Sequence, residues 1–240
     1  MLILGLDTTA VTASVALFDG ERVIASSSVH NKLTHSEKLL PMIDEILKNS
    51  GYTIDDVELI GVSRGPGSFT GVRIGIATAK GLAFYKNTKI VGTSSILALA
   101  ENFRFTTFDK FSEPVILCPA MDARRNELYN ALFLYDGECI KRLTEDRPIS
   151  LEELEAELVK ENKKVYINGD GAEKLYNYLK EKNTPIDSVL ASEIQLRQNA
   201  VSVAKLAYQS YLKNEYQTAS QITPLYLRTS QAERVNNKER

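Results

Sequence analysis

The sequence predicts an α/β protein of two lobes, each a mixed sheet with flanking helices, on three observations. Strands come first and helices follow in the N-terminal half, and the same order restarts in the C-terminal half, which points to a duplicated architecture. Three turns have a phosphate-binding character: Asp7-Thr8-Thr9, Gly65-Pro66-Gly67-Ser68 and Gly169-Asp170-Gly171. The chain has 240 residues, enough to bury two ordinary cores.

Met1 to Leu6 is an apolar run ended by Asp7-Thr8-Thr9, and Thr12 to Phe18 alternates as a strand does. Asp19-Gly20 signals a hairpin, with Arg22 to Val29 as the returning strand. Thr34 and Glu37 fit a capping box ahead of a helix whose apolar stripe is Leu39, Leu40, Ile43, Ile46 and Leu47. Pro41 bends that helix, and Asn49-Ser50-Gly51 stops it. Leu59 to Val62 is a buried strand leading through the Gly-Pro-Gly turn into a second helix. There Gly71, Gly75, Ala79 and Ala83 recur every four residues and form one row without bulk. Each interior glycine costs about 1 kcal/mol relative to alanine, so close packing must compensate. Pattern alone leaves two uses open, the chain's own sheet or another chain.

Lys89 to Gly92 reads as a short strand and Ser94 to Asn102 as a short helix. The stretch Phe103 to Pro114 loses apolar periodicity and marks the boundary between residues 1–103 and 104–232. Val115 to Met121 and Glu127 to Tyr135 form a hairpin around residues 122–126. Ser150 and Glu153 make a second capping box for a helix running to about Asn162. Lys164 to Asn168 is a strand, Ala172 to Lys182 a helix, Ala200 to Asn214 the last long helix, and Pro224 to Arg228 an extended segment. Whether the last helix crosses back to the first lobe is open, and residues 233–240 form a polar tail.

Net charge is −2, and the nearest things to a basic stripe that could grip nucleic acid, Arg124-Arg125 and the C-terminal Arg228, Arg234, Lys238 and Arg240, read as solvated surface. No apolar run approaches the roughly 20 residues of a membrane span. Cys118 and Cys139 make no disulfide framework, which suits a cytoplasmic protein. His30 and His35 are the only histidines and lie five apart, off the three-or-four spacing of one helical face, so no metal site is expected. No Ser–His–Asp set presents itself either. Phosphate binding is the one chemical candidate, at Asp7, Thr8, Thr9, Gly65, Gly67 and Ser68, although the loop lacks the lysine of a Walker-type turn.

Taken in order along nearly the whole chain, these motifs resemble the ASKHA superfamily of actin-like, ribonuclease H-like folds. Within it the sequence resembles the TsaB (YeaZ) family of tRNA threonylcarbamoyladenosine biosynthesis. The resemblance rests on Asp7-Thr8-Thr9, on His35-Ser36 to Leu40-Pro41 and on Arg64-Gly65-Pro66-Gly67-Ser68-Phe69-Thr70-Gly71-Val72-Arg73-Ile74-Gly75. It continues through Asp122-Ala123-Arg124 with Glu127 and Tyr129, then Gly169-Asp170-Gly171, then Pro224 with Tyr226-Leu227-Arg228.

The related TsaD family carries a His-x-x-x-His metal motif where this chain has Thr93 and Leu97, and leucine cannot ligate a metal. The resemblance therefore implies a non-catalytic partner and scaffold of TsaD, with TsaE in the larger complex and tRNA reached only through it. It implies no cofactor required by this chain, with ATP or ADP at or near the partner interface. That interface is expected at Leu39, Leu40, Ile43, Leu47, Gly71, Val72, Gly75, Ile76, Ala79 and Ala83, a surface also suited to self-association when the chain is alone. The other reading is an ATP-dependent phosphotransferase or metalloenzyme of the same superfamily, acting through Asp7 and the Gly65–Ser68 turn.

Overall fold

The computed structural model describes residues 1–31, 34–106 and 113–228, the side chains of 105 and 106 excepted. The expected polar tail at 233–240 lies outside them. The first half begins with a meander of β1 (Leu2–Asp7), β2 (Thr12–Phe18) and β3 (Val23–His30), followed by α1 (His35–Asn49). A 3-10 turn at Ile54–Asp56 leads into β4 (Val57–Ser63), α2 (Phe69–Phe84), β5 (Lys89–Thr93) and α3 (Ser95–Thr106). Their sheet has the order β3-β2-β1-β4-β5, antiparallel through β1 and parallel from β1 to β5.

The second half repeats this plan. β6 (Val115–Asp122), β7 (Glu127–Asn130), β8 (Phe133–Tyr135), β9 (Ile140–Arg142) and β10 (Arg147–Ser150) are antiparallel, and α4 (Leu151–Glu161) follows. β11 (Val165–Asn168), α5 (Ala172–Glu181) and β12 (Ser188–Leu190) complete the sheet β10-β7-β6-β11-β12, parallel from β6 onward. Last come α6 (Glu193–Leu196) and α7 (Ala200–Leu212). The expected strand Glu127 to Tyr135 is broken at Ala131 and Leu132, so that β7 and β8 pair with different ends of β6.

Each sheet buries its own core. Leu4, Leu6, Val15, Leu17, Ile60 and Val62 meet α1 and α2 on one face of the first sheet. Ile3, Leu59 and Val91 meet Ala204 and Ala207 of α7 on the other, so the last long helix lies on the first lobe's sheet. The second core gathers Ile116, Leu117, Phe133, Leu154, Ile167 and Leu175 with Leu99 and Phe103 of α3. Each such Leu or Ile contributes about 1.5–3 kcal/mol on the transfer scale, and α1 alone buries Leu39, Met42, Ile43, Ile46 and Leu47.

Two local expectations separate here. Ser150 and Glu153 form the reciprocal capping box, whereas Thr34 caps α1 without a side-chain hydrogen bond. The helix beginning near Ser94 runs to Thr106, three residues past the boundary expected at 103.

Candidate functional site

Asp7 ends β1 and is fully enclosed. Its Oδ1 accepts from the Thr9 N–H at 2.9 Å and the Thr9 hydroxyl at 2.7 Å, while Oδ2 accepts from the Ser63 hydroxyl at 2.6 Å. Burial pushes the Asp7 carboxyl above its ordinary range, against the pull of those hydrogen bonds and of His35. Thr8 donates its hydroxyl to the Gly71 carbonyl at 2.7 Å. The imidazole of His35, the first residue of α1, donates from Nε2 to the Ala10 carbonyl at 2.6 Å. Thus the loop before α2 and the first residue of α1 both close over this turn.

The glycine loop is engaged just as fully. Ser68 N–H donates to Thr9 O at 2.7 Å, Gly71 N–H to Ser68 Oγ at 3.2 Å and Val72 N–H to Ser68 O at 2.9 Å. Ser95 fastens the loop from behind, its N–H on the Gly65 carbonyl and its hydroxyl on that of Pro66. Gly71 and Gly75 exist to permit this contact, because a Cβ there would lie 2.0 Å from Thr8 O and 2.6 Å from Thr8 Oγ1. A nucleotide phosphate needs free N–H donors and space at such a turn. The six residues Asp7, Thr8, Thr9, Gly65, Gly67 and Ser68 do come together, and Asp7, Thr8, Thr9 and Ser68 are held there by hydrogen bonds within the chain.

Thr93 and Leu97 offer no metal. The Thr93 hydroxyl points to Val62 O at 3.4 Å, and Leu97 packs against the core. Among the described residues no group of three or more His, Cys, Asp or Glu could hold a metal ion.

The second lobe's corresponding turn is open. Asp122 ends β6, exposed, with its Oδ1 accepting from Arg124 N–H at 3.0 Å and Lys174 Nζ at 3.3 Å. Arg124, Arg125 and Asn126 follow in the left-handed backbone region at φ 64°, 54° and 62°, a conformation costing about 1–2 kcal/mol per residue with a side chain. Asp170, one residue before the N-cap of α5, has a carboxyl crowded by protein and by Asp122, which pushes its pKa up to about 6.

Most of the expected docking residues are internal. Leu39, Ile43 and Leu47 of α1 and Gly71, Val72, Gly75, Ile76, Ala79 and Ala83 of α2 are all buried within this chain. The small-residue row thus seats α2 on its own sheet and on Thr8, and it is not a free ridge. Leu40 is the one member exposed, at 51%. A second row, two residues over, faces outward: Arg73, Ala77, Gly81 and Tyr85. A Cβ at Gly81 would meet nothing within 4 Å, while Phe84 and Tyr85 beside it are 82% and 86% exposed. The fourfold spacing of that row was equally legible, but spacing alone does not say which row faces the sheet.

The extended segment Pro224–Arg228 straps the lobes together. Leu225 N–H donates to Arg64 O at 2.7 Å, and Tyr226 stacks on Phe69 with ring centroids 4.9 Å apart. Arg73 donates to the Tyr226 hydroxyl at 2.8 Å, and Arg228 pairs with Glu127 in the second lobe.

A family profile described as TsaD: tRNA N6-adenosine threonylcarbamoyltransferase matches residues 24–235. The chain is 33% identical over 237 residues to the tRNA threonylcarbamoyladenosine biosynthesis protein TsaB of Haemophilus influenzae, covering 95% of this chain and 94% of that one. It is 34% identical over 114 residues to a tRNA N6-adenosine threonylcarbamoyltransferase of Brachyspira hyodysenteriae, 41% of this chain and 34% of that one. Among solved structures, YeaZ from Pseudomonas aeruginosa superposes with a TM-score of 0.77 at 27% identity, over 94% of this chain and 99% of that one. The two lobes are accordingly of the actin-like ASKHA kind.

Proposed function

The chain belongs to the TsaB family of tRNA threonylcarbamoyladenosine biosynthesis, and from that premise we propose that it is a non-catalytic partner and scaffold of TsaD. The observation that carries this reading is the closed turn at Asp7. Both of its carboxylate oxygens and the N–H of Ser68 are engaged within the chain. A phosphotransferase of this fold would need them free. The chain requires no cofactor of its own, ATP or ADP lies at or near the shared surface, and TsaE joins the larger complex in the cytoplasm. Among the described residues no helix is long and apolar enough to cross a membrane.

TsaD docks on the outer faces of α1 and α2. Leu40, Phe84 and Tyr85 supply exposed apolar area, and Ala77 and Gly81 let a partner helix approach closely. Gly81 has no internal reason to be glycine, and its cost of about 1 kcal/mol in a helix interior is explained by such an approach. In the absence of TsaD the same faces support self-association.

Co-purification with TsaD tests the reading. Gly81→Leu, placed in open space, is expected to leave the chain folded with an unchanged or higher melting temperature, and to abolish co-purification. Wild-type yield of the complex from this variant would overturn the docking face. Tight ATP binding by the isolated chain, lost in Asp7→Ala, would restore the phosphotransferase reading.

A further inference from the structure

We infer that the turn Arg124–Asn126 contacts the phosphate backbone of tRNA while the chain is docked on TsaD; this rests on the partner reading above. The backbone is the first ground. Glu127 N–H donates to Arg124 O at 3.2 Å, closing a four-residue turn whose two central residues, Arg125 and Asn126, both have positive φ. Turns of this hand favour Asn, Asp or Gly at those positions, because short polar side chains tolerate the conformation and glycine has none to clash. Among the described residues seven non-glycine residues have positive φ, and five are asparagine. The other two are Arg124 and Arg125. A strained backbone that holds two long cations at an exposed tip points to a use for the cations.

The second ground is charge. The carboxylates nearest to the turn are already committed. Asp122 accepts from Arg124 N–H and Lys174, and Glu127 pairs with Arg228, which also donates to Ala123 O at 3.3 Å. Among the described residues no carboxylate forms an ion pair with Arg124 or Arg125. Two adjacent guanidinium forks without partners match phosphate oxygens, which they bind in pairs. With a net charge of −2 the chain has no general attraction for RNA, so a contact has to be local.

Position is the third ground. The turn is tied through Arg228 to the strap whose Tyr226 stacks on Phe69, the first residue of α2. Gly81, Phe84 and Tyr85 lie at the other end of this 16-residue helix, about 20 Å away at 1.5 Å per residue. RNA near the start of α2 leaves the Gly81, Phe84 and Tyr85 part of the docking face clear.

The test uses the complex with TsaD and an unmodified tRNA transcript, titrated at several salt concentrations. Arg124→Gly with Arg125→Gly is expected to co-elute with TsaD as the wild type does and to melt at a higher temperature, the strain being relieved. It should bind the transcript several-fold more weakly, with the slope of log affinity against log salt shallower by about 1 to 2. Arg124→Lys with Arg125→Lys retains the slope. Unchanged affinity and slope in the glycine variant, with assembly intact, would overturn this inference alone. Loss of co-elution would put the arginines in a protein interface and overturn it too. A wild-type chain that fails to co-elute with TsaD overturns the partner reading, and this one with it.

Discussion

β1 and β6 occupy the same place in the two sheets and both end on an aspartate, yet the turns that follow have opposite fates. Asp7 is buried with three hydrogen bonds to its oxygens, and α1, the glycine loop and α2 close over its turn. Asp122 is exposed and holds only a backbone N–H and a lysine, while the turn after it stands free with two arginines. The difference lies in what packs behind. Gly71 and Gly75 bring α2 into contact with the Thr8 backbone and hydroxyl inside the turn, whereas Gly171 brings α5 against Leu128 and the Met121–Asp122 backbone at the end of β6, before the turn. In a duplicated scaffold, one copy of a polar turn has become part of the core, and the other remains available to a partner.

The largest test of this contrast places a methyl group at each helix entry. Gly71→Ala sets a Cβ 2.0 Å from a backbone oxygen that cannot yield, so it should destabilise the chain by about 3 kcal/mol or more. Gly171→Ala meets the tip of Leu128 at 2.7 Å and the Asp122 nitrogen at 3.0 Å, and should cost about 1–2 kcal/mol. Urea unfolding midpoints of the two variants measure the difference. Equal losses would mean that the turns are equally closed.

A smaller effect comes from Ser63, whose hydroxyl donates to Asp7 Oδ2. Ser63→Ala should cost about 2 kcal/mol at neutral pH by leaving a buried carboxylate oxygen without that donor. The sign with pH follows from burial. The folded pKa of Asp7 is already raised, and losing Ser63 raises it further. Protonated, the carboxyl tolerates the loss. The unfolded value is common to both proteins, so the penalty grows as pH rises from the folded pKa of the wild type toward the higher one of the variant, and should shrink in acid. A penalty constant across that range would mean that Asp7 is not ionised in the folded chain.

Much of this architecture was legible from residue order. The meander, both helix-opening turns and the two-lobe repeat follow from apolar periodicity and from turn residues that have few alternatives. β9, β10 and β12 escaped because their three or four residues carry no continuous apolar run of three, whereas β11, equally short, opens Val-Tyr-Ile. Thr34 failed as a capping side chain although its spacing to Glu37 is ideal, since His35, one residue on, is drawn toward Ala10. The outward-facing row of α2 went unread for a related reason. Rows 71-75-79-83 and 73-77-81-85 share the fourfold spacing, but the first is small throughout and buried, while the second carries Arg73 and Tyr85 and faces outward. Nothing in Arg124-Arg125-Asn126 signals two left-handed arginines, because arginine is not a residue that marks that conformation.

The smallest effect falls on Asp170, and it asks whether the open turn is electrostatically quiet. Its carboxyl is raised from 3.8 to about 6, first by the protein packed around it and then by the charge of Asp122, although the residue itself keeps an exposed surface that weakens the effect. A raised carboxylate contributes stability while protonated and loses it as pH climbs from the unfolded pKa toward the folded one. The wild type should therefore lose stability between about pH 4 and pH 6 from this group, and Asp170→Asn should flatten that part of the curve. At pH 3.5 the two proteins should melt together. At pH 7 the variant should melt slightly higher, because Asp122 then faces an amide. Asp122→Asn should lower the Asp170 midpoint without touching the signal of Asp7, which sits in the other lobe behind Thr8 and Thr9. If Asp122→Asn shifted both midpoints, the two turns would be coupled across the cleft, and the contrast drawn between them would have to be replaced by a single shared site.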